Sequence, residues 1–208
     1  MKRRPDRLYK TKKRLNKYNI KYEVFEACDG KKKYIETYYN NIIKKKPTHL
    51  KNTGELGCIL SHLRLIQIAK KNNYKNILIL EDDILLHKFF DRLLFKIEKV
   101  PDNYDILYLG CSHNTKIDYI DTPFYYKIRN HTFGTFAYAI SNNVYDLAIY
   151  YLSQFELASD NALNNIIYRG NSYAIYEYLI IADITDSDIR HKRNQNEIEQ
   201  WNIKNYEK

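Results

Sequence analysis

Cysteine is scarce in this chain of 208 residues: there are three, Cys28, Cys58 and Cys111, widely spaced, with no CxxC pair and no matching histidine spacing. An odd number so placed suggests neither a disulfide framework nor a zinc site, and a reducing compartment, the cytoplasm, fits best. Cys58 and Cys111 are expected to be small buried apolar residues. Six glycines and four prolines are too few for collagen-like or low-complexity classes. Long apolar runs are also missing. No stretch approaches the ~20 residues of a membrane span, and Met1 leads into Lys2, Arg3, Arg4 and Pro5 without the apolar core of an export signal. What the chain does have is tyrosine, 21 residues of it, within a hydrophobic content of 44%. That suffices for one core, and we expect a single domain over residues 1–190 followed by a polar tail, 191–208.

Charge is the second abundance. Thirty-four Lys and Arg against 25 Asp and Glu leave a net +9, concentrated in residues 2–14, 31–33 and 44–46. Such a balance favours an acidic partner: nucleic acid, an anionic surface or a phosphate-bearing small molecule. Lys, Asn, Ile and Tyr are also the residues of A/T-rich codons, so the composition of the genome explains part of it equally well. It points to a giant virus or a low-GC bacterium, with the host cytoplasm or virion as the location if viral. Tyrosines could stack on bases, but they fall at core positions as often as beside lysines, which makes nucleic acid the less favoured partner.

Along the chain, residues 5–18 read as a short amphipathic helix with Pro5 in its first turn. Residues 20–27 alternate and read as a strand, ended by a turn at Asp29-Gly30. Residues 31–50 read as a surface loop with some helix. Asn52 and Glu55 have the form of a capping box before Leu56, Ile59, Leu60, Leu63 and Ile66, which predicts a helix over 54–71. The apolar run 76–80 reads as a central strand covered on both faces. A helix over 89–100, strands at 105–110 and 133–141, helices to 151 and over 159–168, and an extended 172–181 complete an α/β pattern, from which we expect a mostly parallel sheet flanked by helices.

The run 76–80 stops at Glu81-Asp82-Asp83, where open α/β sheets bind ligands. Three adjacent carboxylates repel one another unless something positive lies among them. Two oxygen ligands plus substrate phosphates are a usual way to hold Mg2+ or Mn2+, so the cluster reads either as a metal–diphosphate site or as a solvated strand end favoured by a helix dipole.

The segment Gly54-Glu55-Leu56-Gly57-Cys58-Ile59-Leu60-Ser61-His62, followed by Ile79-Leu80-Glu81-Asp82-Asp83, resembles the paired signature of glycosyltransferase family 25, which includes lipooligosaccharide glycosyltransferases and collagen galactosyltransferases. Arg4-Pro5-Asp6-Arg7 resembles the family's arginine motif, and residues 22–30 its strand ending in Asp-Gly. Residues 104–110, 134–141 and Ser187-Asp188-Ile189 resemble its later segments. The strand that ordinarily precedes the arginine motif has no counterpart here.

The resemblance implies a GT-A-type, Rossmann-like nucleotide-diphospho-sugar transferase that moves a hexose, galactose or glucose, from a UDP-sugar to a hydroxyl of a saccharide or of hydroxylysine in a collagen-like chain, with inversion. It implies a divalent ion, Mn2+ or Mg2+, with Asp83 as first ligand and Glu81 beside it. Asp82, Arg4, Arg7 and Gly134 are expected at the donor, with Ser61 and His62 positioning it. His191 is either a nitrogen ligand or a solvated tail residue. Asp160 is either the base that accepts the acceptor's proton or a helix-capping acid. Two alternatives stand beside this: a catalytically degenerate relative, or a basic module that binds nucleic acid or an anionic surface.

Overall fold

The structure, a computed structural model, describes residues 2–113, 121–183 and 201–207. Helix α1 (Pro5–Lys17) leads into an irregular stretch, then α2 (Lys33–Asn41) and the long α3 (Thr53–Lys71). The side chain of Asn52 accepts the backbone N–H of Glu55 at 3.0 Å, and Glu55 returns a carboxylate oxygen to the N–H of Lys51 at 2.8 Å, so the predicted capping box forms. Leu56, Ile59, Leu63 and Ile66 face the core. Helix α3 ends at Asn72 and Asn73, the latter at φ 54°, a left-handed conformation that asparagine tolerates.

Strands β1 (Asn76–Leu80), β2 (Ile84–Leu86), β3 (Ile106–His113), β4 (Tyr125–Lys127), β5 (Thr132–Ser141), β6 (Ser172–Ile175) and β7 (Ile180–Ala182) form two sheets, with short α4 (Phe90–Leu93) after β2, and α5 (Tyr145–Ser153) and α6 (Ser159–Ile167) between β5 and β6. The large sheet has the order β1-β5-β3-β6-β4, and β2 pairs β7 separately. Helix α3 packs on β1 and α5, α6 on α5 and β5, and β7 on β3 and β5. Among the described residues seven tyrosines, Tyr108 and Tyr138 included, are buried and supply much of the core's bulk.

Three expectations need correction. The sheet is not mostly parallel: among the described residues only β3 and β6 run parallel, and β5 lies antiparallel between β1 and β3. Alternating helices and strands suggested crossover units, but only the β3–β6 connection, which contains α5 and α6, returns the chain in the same direction. The run 76–80 is an edge strand of this sheet, with Leu78 47% exposed, and not a strand covered on both faces. Residues 20–27 carry the alternation of a strand but form none, because among the described residues no strand pairs with them; the N–H of the next residue, Cys28, bonds instead to Ser61 Oγ at 2.8 Å.

The end of the chain also differs from a polar tail. Trp201 is 1% exposed and donates its indole N–H to the carbonyl of Cys111 at 2.9 Å. Tyr206 donates its hydroxyl to the carbonyl of Tyr178 at 2.6 Å and bridges His87. With the backbone hydrogen bonds of Lys88 to Asn205 at 2.8 Å and of Glu207 to Leu86 at 3.0 Å, these two aromatic residues tie 201–207 to the domain.

Candidate active site

The row Arg7, Thr11, Leu15 faces inward from α1 at helical spacing. Two of these are polar because α1 lies against the segment that leaves β1. Thr11 donates to the carbonyl of Asp82 at 2.9 Å, and Arg14 to the carbonyl of Ile84 at 3.0 Å. Arg7 places one guanidinium nitrogen 2.6 Å from Asp82 and 2.8 Å from Asp83. One guanidinium thus bridges two of the three adjacent carboxylates from within the chain and offsets one of their two charges.

Glu81 goes elsewhere. Its backbone N–H continues the ladder to Phe136 at 2.8 Å, its Oε1 accepts the Thr135 hydroxyl at 3.1 Å, and His62 Nε2 lies 3.4 Å from that oxygen. Burial opposes charge on both groups. For Glu81 the His62 hydrogen bond and charge, Thr135 and Arg7 outweigh it and hold the carboxyl below its usual range. For His62 burial is likewise the largest single influence, and Tyr138, Cys58 and Glu81 together overcome it, raising the imidazole well above its ordinary value. The other ring nitrogen, Nδ1, meets the Tyr138 hydroxyl at 2.9 Å.

Two glycines bring the motif segments together. A Cβ on Gly57 of α3 would stand 2.8 Å from the carbonyl oxygen of Cys28 and 2.9 Å from the N of Gly30, so the turn after residues 20–28 lies directly on the helix. Ser61, one turn on, accepts the N–H of Cys28 and donates to the carbonyl of Gly57 at 2.7 Å. The turn's own acid, Asp29, accepts from Arg3 at 3.0 Å.

Around these groups lies a cavity of about 1190 Å³, lined by Arg7, Cys58, Ser61, His62, Glu81, Asp82, Asp83, Gly134 and Asp160 among others. Asp160, in the first turn of α6, is 8% exposed and accepts the N–H of Asn161 at 2.8 Å and of Gly134 at 3.2 Å. Gly134 has φ +87°, a backbone that favours glycine, and presents its N–H to the acid. Arg4 turns away to Asp6, 2.9 Å distant, whose carboxyl it pulls down to about 2, and it is not among the cavity's lining residues. His191 and the Ser187-Asp188-Ile189 segment lie outside the described residues.

Three participants escaped the sequence reading. Thr11 and Thr135 carry no signal beyond spacing. Cys58, expected as a buried apolar residue, is only half-buried, with Sγ 3.4 Å from Ser159 Oγ. Its signal was the i, i+4 relation to His62, which puts both on one helix face. Cys111 does fit the apolar reading: it is fully buried, and burial pushes its thiol up to about 11. Among the described residues, Cys58, His62 and Glu81 are the group that offers sulfur, nitrogen and oxygen ligand atoms within 4.8 Å of one another. Such a mixed set fits a divalent transition metal.

The profile described as "Glycosyltransferase family 25 (LPS biosynthesis protein)" matches residues 1–120, more than half of the chain. A "Glycosyltransferase 25 family member" of Drosophila melanogaster is 32% identical over 120 residues, which are 53% of this chain and 20% of that protein. "Procollagen galactosyltransferase 1-B" of Xenopus laevis is 31% identical over 121 residues, 53% of this chain and 20% of that one. A "Putative glycosyltransferase" of Haemophilus influenzae is 34% identical over 99 residues, covering 46% and 34% respectively. The matched stretch thus spans about a fifth to a third of each of these relatives.

Proposed function

The chain belongs to glycosyltransferase family 25, and from that premise we propose that it transfers a hexose, galactose or glucose, from a UDP-sugar to an acceptor hydroxyl, with inversion. The observation that carries this is convergence. The two segments with the family's signature, α3 and the end of β1, meet at one cavity together with Arg7 and Asp160. The cavity is large enough for a nucleotide sugar, since ligand pockets typically run ~300–1,000 Å³.

Departure of UDP leaves negative charge on its diphosphate. A divalent ion beside the acids, Mn2+ or Mg2+ on the sequence reading, would act there as a Lewis acid. Arg7 keeps Asp82 and Asp83 together at the strand end, Gly134 lets the backbone approach the donor closely, and Ser61 and His62 fix the wall of the pocket. Asp160 is the carboxylate assigned to the acceptor's proton, since it enters the cavity from α6 and not from the strand end that carries the other acids. The names of the relatives, a procollagen galactosyltransferase and a lipopolysaccharide biosynthesis family, favour hydroxylysine of a collagen-like chain or a saccharide as acceptor. Titration calorimetry with UDP decides whether the cavity is a donor site. Binding that requires a divalent ion supports the reading; no UDP binding with or without Mn2+ overturns it.

A further inference from the structure

Cys58 and His62 stand one turn apart on α3, so both side chains leave the same face. Glu81 arrives opposite them from the end of β1, and the three ligand atoms lie within 4.8 Å of one another. Metal bonds of ~2.0–2.3 Å place tetrahedral ligand atoms roughly 3.3–3.8 Å apart. The 3.4 Å between His62 Nε2 and Glu81 Oε1 already meets that spacing, and the thiol sulfur lies within 4.8 Å of both.

Each of the three also has an outer partner of the kind that orients metal ligands. The Tyr138 hydroxyl holds His62 Nδ1 at 2.9 Å, which leaves Nε2 directed at Glu81. Thr135 holds Glu81 Oε1, and Ser159 lies 3.4 Å from Cys58 Sγ. All three residues line the cavity, so a fourth coordination position opens toward it. A core histidine satisfied by Tyr138 alone needs neither a carboxylate nor a thiol at its second nitrogen.

We propose that Cys58, His62 and Glu81 together bind a divalent transition metal ion, leaving one position open to the cavity. Thiolate and imidazole are unsuited to Mg2+, which takes oxygen ligands, whereas affinity of such a set rises from Mn2+ through Co2+, with Zn2+ above both on the thiolate side. Both the thiol proton and the Nε2 proton that His62 holds toward Glu81 pass to solvent as the metal–sulfur and metal–nitrogen bonds form. Asp82 and Asp83, the other acids at the strand end, are bridged by Arg7 at 2.6 and 2.8 Å. A role for this ion against a nucleotide diphosphate rests on the function proposed above; its binding does not.

The test is a Co2+ titration of the full chain without nucleotide, followed by absorption spectroscopy. We expect a thiolate-to-cobalt charge-transfer band in the near ultraviolet that saturates at a single equivalent, and intense visible bands typical of four-coordinate cobalt. Zn2+ should abolish both, and excess Mg2+ neither. Cys58→Ser should lose the charge-transfer band while keeping the parent's circular dichroism, and Tyr138→Phe should weaken binding ~10-fold or more by freeing the imidazole. No charge-transfer band in the parent, or an unchanged band in Cys58→Ser, overturns the site. A metal-dependent transferase without the band would sink the ligand set and spare the function; a cobalt-binding chain that ignores UDP would do the reverse.

Discussion

Arg7 is the residue on which the strand end depends. It is 7% exposed and bridges two carboxylates through one guanidinium nitrogen. Removing one partner from a buried ion pair typically costs ~3–5 kcal/mol. Asp82 is partly open, so Arg7→Met should destabilise by the lower part of that range, about 3 kcal/mol, measured by urea unfolding. For Asp160, general-base assistance is worth ~10²–10⁴-fold, so Asp160→Asn should lose turnover to that extent with UDP affinity near the parent's. Normal turnover with an earlier thermal transition would instead make Asp160 the tie between α6 and Gly134. His113 offers a check on the core that is independent of catalysis. Buried beside Tyr126, Cys111 and Thr132, its imidazole is pushed from 6.5 down to about 4, chiefly by desolvation. The unfolded chain therefore binds a proton that the native state refuses between those values. The contribution is complete above pH ~6.5 and is lost as pH falls toward 4, about 3 kcal/mol in all. Urea midpoints measured from pH 7.5 to 4.5 should fall less steeply for His113→Gln than for the parent.

The elements show why some of the architecture was legible and some was not. Helix α3 announced itself through local chemistry: a cap at Asn52, apolar residues at i, i+3 and i+4, and an asparagine stop. Strands β1, β3 and β5 announced themselves as apolar runs. What no local pattern carries is the identity of a strand's neighbour. Residues 20–27 and 76–80 have strand character, yet among the described residues the first joins no sheet and the second pairs on one side only. The direction of β5 between β1 and β3 is equally a long-range outcome. The close approach of the residue 29–30 turn to α3 is testable as a packing constraint. Gly57→Ala would put a methyl group against backbone atoms of Cys28 and Gly30. Overpacking of that kind costs ~1–3 kcal/mol, and the shift should reach Ser61 and the cavity wall. We expect a lower urea midpoint together with weaker UDP binding; an unchanged midpoint would mean that the turn gives way freely.

For the whole molecule, the carboxylate cluster was visible in the sequence as three acids closing an apolar run, while the division of labour within it was not. Arg7 reaches Asp82 and Asp83 from a helix more than seventy residues earlier in the chain, and the Cys58–His62–Glu81 group joins a helix to a strand end. Only tertiary contact creates either. The docking of residues 201–207 has the same origin. Trp201 closes against Phe136 of β5, with ring centroids 5.7 Å apart, so Trp201→Ala should cost ~3–5 kcal/mol, as large aromatic truncations do; a change under ~1 kcal/mol would make the aromatic a loose appendage. The central claim, that one cavity accepts a nucleotide sugar and carries out transfer, is tested most directly by measuring UDP release from a panel of UDP-sugars with a divalent transition metal, with and without saccharide and hydroxylysine acceptors. The account predicts release from a UDP-hexose that an acceptor accelerates and that Asp160→Asn suppresses. A protein that binds UDP-sugars but releases no UDP with any donor, metal or acceptor in the panel would contradict it.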